Sequence, residues 1–155
     1  MITIEKNVTD ILKEKGLTMT CAESCTGGLI ASRIVNVPGV SEVFKAGFVT
    51  YANEAKQKLL GVKEETLIRF GAVSRQTAEE MARGAAKAAE ADVAISVTGI
   101  AGPDGGTKEK PVGLVYIGCY VQGNVVVKEY HFKGGRMQVR QSSAEAALQQ
   151  LLECL

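Results

Sequence analysis

Three times along this chain an apolar, strand-length run gives out into a small polar or glycine-rich turn. Met19-Thr20-Cys21-Ala22-Glu23 leads into Ser24-Cys25-Thr26-Gly27-Gly28, and Phe48-Val49-Thr50-Tyr51 into Ala52-Asn53-Glu54-Ala55-Lys56. Ser96-Val97-Thr98 leads into Gly99-Ile100-Ala101-Gly102-Pro103-Asp104-Gly105-Gly106. Strands of one sheet that end this way can place their turns along one edge, where α/β enzymes carry their reacting atoms. In the first turn Ser24 stands ahead of a helix-like segment whose free N–H groups and dipole favour an anion or a developing oxyanion. Ser and Thr ahead of a glycine pair also make an ordinary helix cap.

Around these turns, helix and strand patterns alternate. Ile4, Val8, Ile11 and Leu12 recur at helical spacing until Gly16 stops them. Residues 29–35 read as a short helix ending near Pro38-Gly39, 46–51 as a strand, and 54–60 and 64–70 as short helices. Ser74 caps an alanine-rich helix over 75–89, and 93–97 is a buried strand. Two β-rich runs, 112–121 and 125–132, flank Gln122-Gly123-Asn124 and predict a hairpin with antiparallel pairing. The closing helix, 136–155, puts Ala144, Ala147, Leu148, Leu151 and Leu155 on one face. The expected fold class is α/β: a three-layer α/β/α sandwich with a mixed, mostly parallel sheet of about five strands. A length of 155 residues with 46% hydrophobic content suits a single domain over 1–155. The alanine-rich helix fits either internal packing or the interface of a homodimer or higher homo-oligomer.

Charge and cysteine content narrow the function classes. Eighteen Lys plus Arg stand against 17 Asp plus Glu with no basic run, so nucleic acid is not the expected partner. No apolar stretch approaches a membrane span, and Met1-Ile2-Thr3-Ile4-Glu5-Lys6 lacks a signal peptide's basic start and apolar core, so a cytoplasmic protein is expected. Cys21, Cys25, Cys119 and Cys154 form no zinc pattern; no metal and no cofactor are expected, and the thiols read as reduced. Cys25 is a candidate nucleophile, because a thiol at a helix N-terminus has a lowered pKa. The one histidine, His131, lies in an alternating strand-like segment and reads as structural.

Ala22-Glu23-Ser24-Cys25-Thr26-Gly27-Gly28, Tyr51-x-Asn53-Glu54-Ala55-Lys56 and Gly99-Ile100-Ala101-Gly102-Pro103-Asp104-Gly105-Gly106 together resemble the signature blocks of the CinA C-terminal domain family. The similarity covers nearly the whole chain. Members of that family include amidases that hydrolyse the carboxamide of nicotinamide mononucleotide to nicotinate mononucleotide and ammonia, a step of pyridine nucleotide salvage. The resemblance therefore implies a small-molecule mononucleotide substrate. Longer CinA proteins carry a separate N-terminal nucleotide pyrophosphatase domain; Met1 stands close to the first helix, so the stand-alone form is expected. The competing expectation is a non-catalytic, competence-associated nucleotide-binding or regulatory module, and the presence of both Ser24 and Lys56 favours the enzyme. A phosphoesterase would need Asp, His or metal clusters absent from this pattern.

Amide hydrolysis needs a nucleophile, a base, donors for the tetrahedral oxyanion and an acid for the departing ammonia. Ser24 and Lys56 can supply nucleophile and base if the amine is desolvated, so that its pKa falls toward neutrality. Read without the matching block, Lys56 is a solvated helix lysine like Lys58. Tyr51 can hydrogen-bond Ser24 or Lys56, or simply be a buried strand-end tyrosine. Asn53 can cap the helix or recognise the carboxamide. Oxyanion donors are expected from the backbone around Cys25, Thr26, Gly27 and Gly28, with the Thr26 hydroxyl as an addition. Glu23 can hold the lysine or the ribose, or favour the helix dipole. Gly134-Gly135-Arg136-x-x-x-Arg140 offers two guanidiniums at i and i+4 for a phosphate monoester, and Phe132-Lys133-Gly134-Gly135-Arg136 resembles the family's Phe-x-Gly-x-Arg segment. The plain alternative pairs these arginines with Glu145 or Glu129. The loop from Gly99 through Gly102 to Gly106 is expected to wall the ribose or pyridine, with Asp104 available for a hydroxyl.

Overall fold

Thr3 and Gly16 bracket the first helix, α1 (Ile4–Lys15): the Thr3 hydroxyl accepts from the Lys6 N–H, and Gly16 closes the helix in the left-handed region at φ 67°. A computed structural model describes residues 1–155. After α1 come β1 (Met19–Glu23), α2 (Leu29–Ile34), a 3-10 turn (Val40–Glu42), β2 (Phe44–Val49), α3 (Asn53–Leu60), α4 (Glu64–Phe70) and α5 (Arg75–Ala89). They are followed by β3 (Val93–Gly99), β4 (Leu114–Val121), β5 (Asn124–His131) and α6 (Arg136–Cys154). Ser74 caps α5 as expected, accepting from the Thr77 N–H. The hairpin is also as expected, with its turn reduced to Gln122-Gly123, both at positive φ, so that Asn124 already belongs to β5. The second strand ends at Val49, two residues earlier than the apolar pattern suggests, which leaves Thr50 and Tyr51 in the turn.

The five strands form one mixed sheet in the order β2-β1-β3-β4-β5. β1 pairs in parallel with β2 and β3, whereas β3–β4 and β4–β5 are antiparallel. β5 therefore points the same way as β3, and α6 starts at the edge where β1, β2 and β3 end.

Helices cover both faces. α1, α2 and α6 bury Val8, Leu12, Ile30, Leu148 and Leu151 against Met19, Cys21, Ile95, Val97 and Ile117 of the sheet. The opposite face is lined by small residues, and there α5 settles close. Ala22 and Ala94 meet Met81, Ala85 and Ala86, with Leu60, Val62 and Leu67 of the α3–α4 region. Gly118 is required under α5, since a Cβ there would lie 2.9 Å from the Ala78 carbonyl oxygen. Ser96 Oγ donates to that same oxygen at 2.6 Å, so a polar group fully removed from water keeps a partner. The alanine face of α5 is thus buried within the protomer, which is the internal of its two expected roles. No helix is long and apolar enough to cross a membrane.

Candidate active site

Because β1, β2 and β3 are parallel, their C-terminal turns meet at one sheet edge. Glu23 stands opposite Val49 on one side and Val97 on the other. The ladder continues past the strand ends: the Ser24 N–H donates to Val97 O at 3.0 Å, and the Thr50 N–H to Glu23 O at 2.9 Å. Two turns that are far apart in sequence are held in register by main-chain bonds, and their side chains follow.

Lys56 shares the inward row of α3 with Leu60, one turn away, while Lys58 is exposed. Its side chain is only 1% exposed. Its Nζ lies 2.8 Å from Thr50 O, 3.2 Å from Tyr51 O and 3.2 Å from Ser24 Oγ. No carboxylate forms an ion pair with it. Burial lowers its pKa below the ordinary lysine value, and the nearby Cys25 and Glu54 groups, which act in the opposite direction, do not restore it. Two of its three partners are carbonyls, which only accept. When the amine is neutral, its two N–H groups belong to those carbonyls and its lone pair faces the Ser24 hydroxyl. The solvated-lysine alternative is overturned, and the arrangement is one in which Ser24 can lose a proton to Lys56.

The turn after Ser24 is held from both sides. The Glu23 carboxylate, fully buried, accepts from the Ile30 N–H at 3.0 Å and the Ala31 N–H at 3.1 Å. It occupies the N-terminal N–H groups of α2, and neither a lysine nor any open pocket is within its reach; the dipole reading is the one that holds. The Gly27 N–H is also taken, donating to Ser24 O at 3.1 Å, so Gly27 supplies a bend at φ 57° and no free donor. The N–H groups of Cys25, Thr26 and Gly28 have no acceptor elsewhere in the protein. Thr26 Oγ1 is buried and without a partner. Cys25 is 5% exposed, and burial pushes its thiol up to about 11, so the expectation of a lowered pKa is reversed. A helix dipole cannot activate a thiol that has lost its water.

Tyr51 is exposed; its hydroxyl accepts from Arg136 Nη2 at 2.9 Å, and only its carbonyl reaches Lys56. Asn53 is the first residue of α3, with Ala52 at the cap position and no side-chain cap bond, which removes the capping alternative. Gly99 ends β3 against β4, where a Cβ would lie 2.6 Å from Val115 Cγ2, so packing alone accounts for it. Gly102 O accepts from Arg136 Nη1 at 2.8 Å, and Asp104 is exposed on the same loop without an ion pair. Arg140 turns inward to the carbonyls of Cys25 and Thr26, at 2.9 and 3.0 Å. Neither arginine pairs with Glu145 or Glu129: Glu145 is bound by Arg33, and Glu129 by Tyr116 and His131.

Sequence reasoning missed Thr50, whose carbonyl is the shortest of the Lys56 contacts. No side-chain pattern announces a main-chain acceptor. All four cysteines are free, and Cys119 lies beside Cys154 across the sheet and α6, a pairing invisible in their spacing. No group of three His, Cys, Asp or Glu side chains is disposed to hold a metal ion.

The family model described as the CinA C-terminal domain matches residues 1–155. A CinA-like protein of Kosmotoga olearia is 58% identical over 146 residues, which make up 94% of this chain and 35% of that protein. The chain spans about a third of the length of the curated relatives it matches. Among solved structures, competence/damage inducible protein CihA from Agrobacterium tumefaciens superposes with a TM-score of 0.93 at 46% identity, covering 97% of this chain and 94% of that one. A competence-damaged protein (CinA) superfamily protein from Escherichia coli superposes with a TM-score of 0.93 at 39% identity, covering 99% and 91%.

Proposed function

The chain belongs to the CinA C-terminal domain family, and from that premise we propose that it is an amidohydrolase converting nicotinamide mononucleotide to nicotinate mononucleotide and ammonia. The observation that carries this reading is the buried Lys56, free of any carboxylate, with its Nζ 3.2 Å from Ser24 Oγ. The identity of the nucleotide rests on the resemblance of the three signature blocks. The neutral amine takes the Ser24 proton as Oγ attacks the carboxamide carbon, and the new oxyanion is met by the open N–H groups of the turn after Ser24. The Lys56 ammonium then returns its proton to the departing nitrogen, which leaves as ammonia, with the nicotinoyl group esterified to Ser24. Water attacks that ester, its proton passing to Lys56; as the bond between the acyl carbon and Ser24 Oγ breaks, Lys56 returns that proton to Oγ, and nicotinate mononucleotide is released with Ser24 and the neutral amine restored. Arg136, exposed at the rim with its Nε uncommitted, is positioned for the phosphate.

The test is to incubate the purified protein with nicotinamide mononucleotide and a chelator, and to quantify ammonia and nicotinate mononucleotide. Ser24→Ala and Lys56→Ala are each expected to lower kcat by about 10³-fold or more. Full activity in Ser24→Ala would move the nucleophile elsewhere, and no turnover by the unaltered protein would leave a non-catalytic family member.

A further inference from the structure

Arg140 and Arg136 lie one turn apart at the start of α6, yet they do different work. Arg140 is half-buried, and each of its guanidinium nitrogens has a partner. Nε donates to Cys25 O at 2.9 Å, Nη2 to Thr26 O at 3.0 Å, and Nη1 points at Met137 Sδ at 3.9 Å. The fork that suits a phosphate is therefore spent on two consecutive main-chain carbonyls. Arg136 is exposed and reaches Gly102 O and the Tyr51 hydroxyl instead.

We propose that Arg140 is a positioning residue that shapes the oxyanion site through the Cys25–Thr26 peptide, and that it does not bind the substrate's phosphate. This rests on the amidohydrolase reading of Ser24 and Lys56. In a planar trans peptide the C=O and N–H point in opposite directions. With Arg140 fixed on Cys25 O, the Thr26 N–H is turned away from the guanidinium, and nothing in the protein accepts it. The next peptide is closed on itself. Thr26 O accepts from Arg140 and from the Leu29 N–H at 3.1 Å, while the Gly27 N–H returns to Ser24 O. Of two adjoining peptides one is sealed and the other is left open beside the nucleophile, with Arg140 touching both. A cation on the carbonyl also polarises the peptide, which strengthens its N–H as a donor. Gly27 makes room for the clamp, since a Cβ there would come within 3.3 Å of Arg140 Nη2.

Arg140→Lys keeps the charge and the stem but cannot fork onto two carbonyls. It is expected to lower kcat for nicotinamide mononucleotide by about tenfold to a hundredfold, as weakened oxyanion donors do. Calorimetry of the nucleotide with Ser24→Ala, with and without Arg140→Lys, is expected to give Kd values within about threefold of each other, because no substrate contact is lost. Arg136→Lys in the same background is the contrast and is expected to weaken binding by about tenfold or more. A rise in Kd beyond about tenfold on Arg140→Lys, with or without a loss of kcat, assigns Arg140 to the substrate and overturns the proposal. An unchanged kcat overturns it equally. If the unaltered protein shows no turnover, the amidohydrolase reading fails first, and the two failures are told apart by that control.

Discussion

An ammonium taken out of water is disfavoured against the neutral amine, so Lys56 releases its proton more readily than a surface lysine. In the proposed mechanism the neutral form is the base. The kcat/KM of the proposed amidase reaction is therefore expected to rise with pH through a midpoint below 10.5, the ordinary lysine value. A rising limb at or above that value would remove Lys56 as the base. The same shift acts on stability. Between the folded and unfolded pKa values the unfolded chain binds more protons, so stability also rises with pH across that window, and Lys56→Met is expected to abolish the rise in urea unfolding experiments. Cys25 shows the opposite side of the same physics, since burial that frees an amine of its proton locks a thiol's proton on. A residue's type is legible in a sequence, but its protonation depends on how much water surrounds it. For that reason Ser24 and Lys56 stand out in the sequence ahead of Cys25, which has no credible histidine partner, whereas the burial that keeps the Cys25 thiol protonated belongs to the fold.

At the scale of elements, the site depends on how closely α5 approaches α3. Alanine is a better helix former than glycine by about 1 kcal/mol, so Gly84 in the middle of α5 is a locally poor choice. Its reason lies across the contact: a Cβ at Gly84 would lie 1.7 Å from the Leu60 carbonyl oxygen. Gly84→Ala is expected to destabilise the protein by about 1–3 kcal/mol despite its higher helix propensity. It should also lower kcat, because Leu60 belongs to the helix that carries Lys56. A urea midpoint that stays put or rises would mean that the two helices do not need this close approach. Helix boundaries themselves were largely readable. Ser74, Gly16 and the run Glu64–Phe70 act through neighbours three or four residues away, and such local terms survive in any tertiary context. The apolar pattern runs past the end of β2 because Thr50 and Tyr51 continue the strand's residue preferences while their carbonyls serve Lys56 and the Tyr51 hydroxyl serves Arg136.

For the whole molecule, the helices on one face are joined by a single cation. Arg33 of α2 bonds Glu5 of α1 at 2.5 Å and Glu145 of α6 at 2.6 Å. Burial alone would raise the Glu5 pKa, but the hydrogen bond and charge of Arg33, with nearby donors, hold it below the ordinary value of 4.5. Its stabilisation is thus present above that value and is lost as pH falls through the lowered one. Arg33→Met is expected to reduce stability at neutral pH and to flatten the acid limb of the thermal midpoint; an unaltered acid limb would show that Glu5 titrates without Arg33. That same face brings α6 to the edge where β1, β2 and β3 end, and with it the two arginines. From the sequence alone came the alternation of elements, the caps, the hairpin and the three turns, because periodicity and short-range hydrogen bonding are set within a few residues. The tertiary structure alone decided that Lys56 is dry, that Glu23 serves a helix terminus, and that Arg140 grips main chain while Arg136 faces outward. Those outcomes depend on groups brought together from distant parts of the chain, and on the water their meeting excludes.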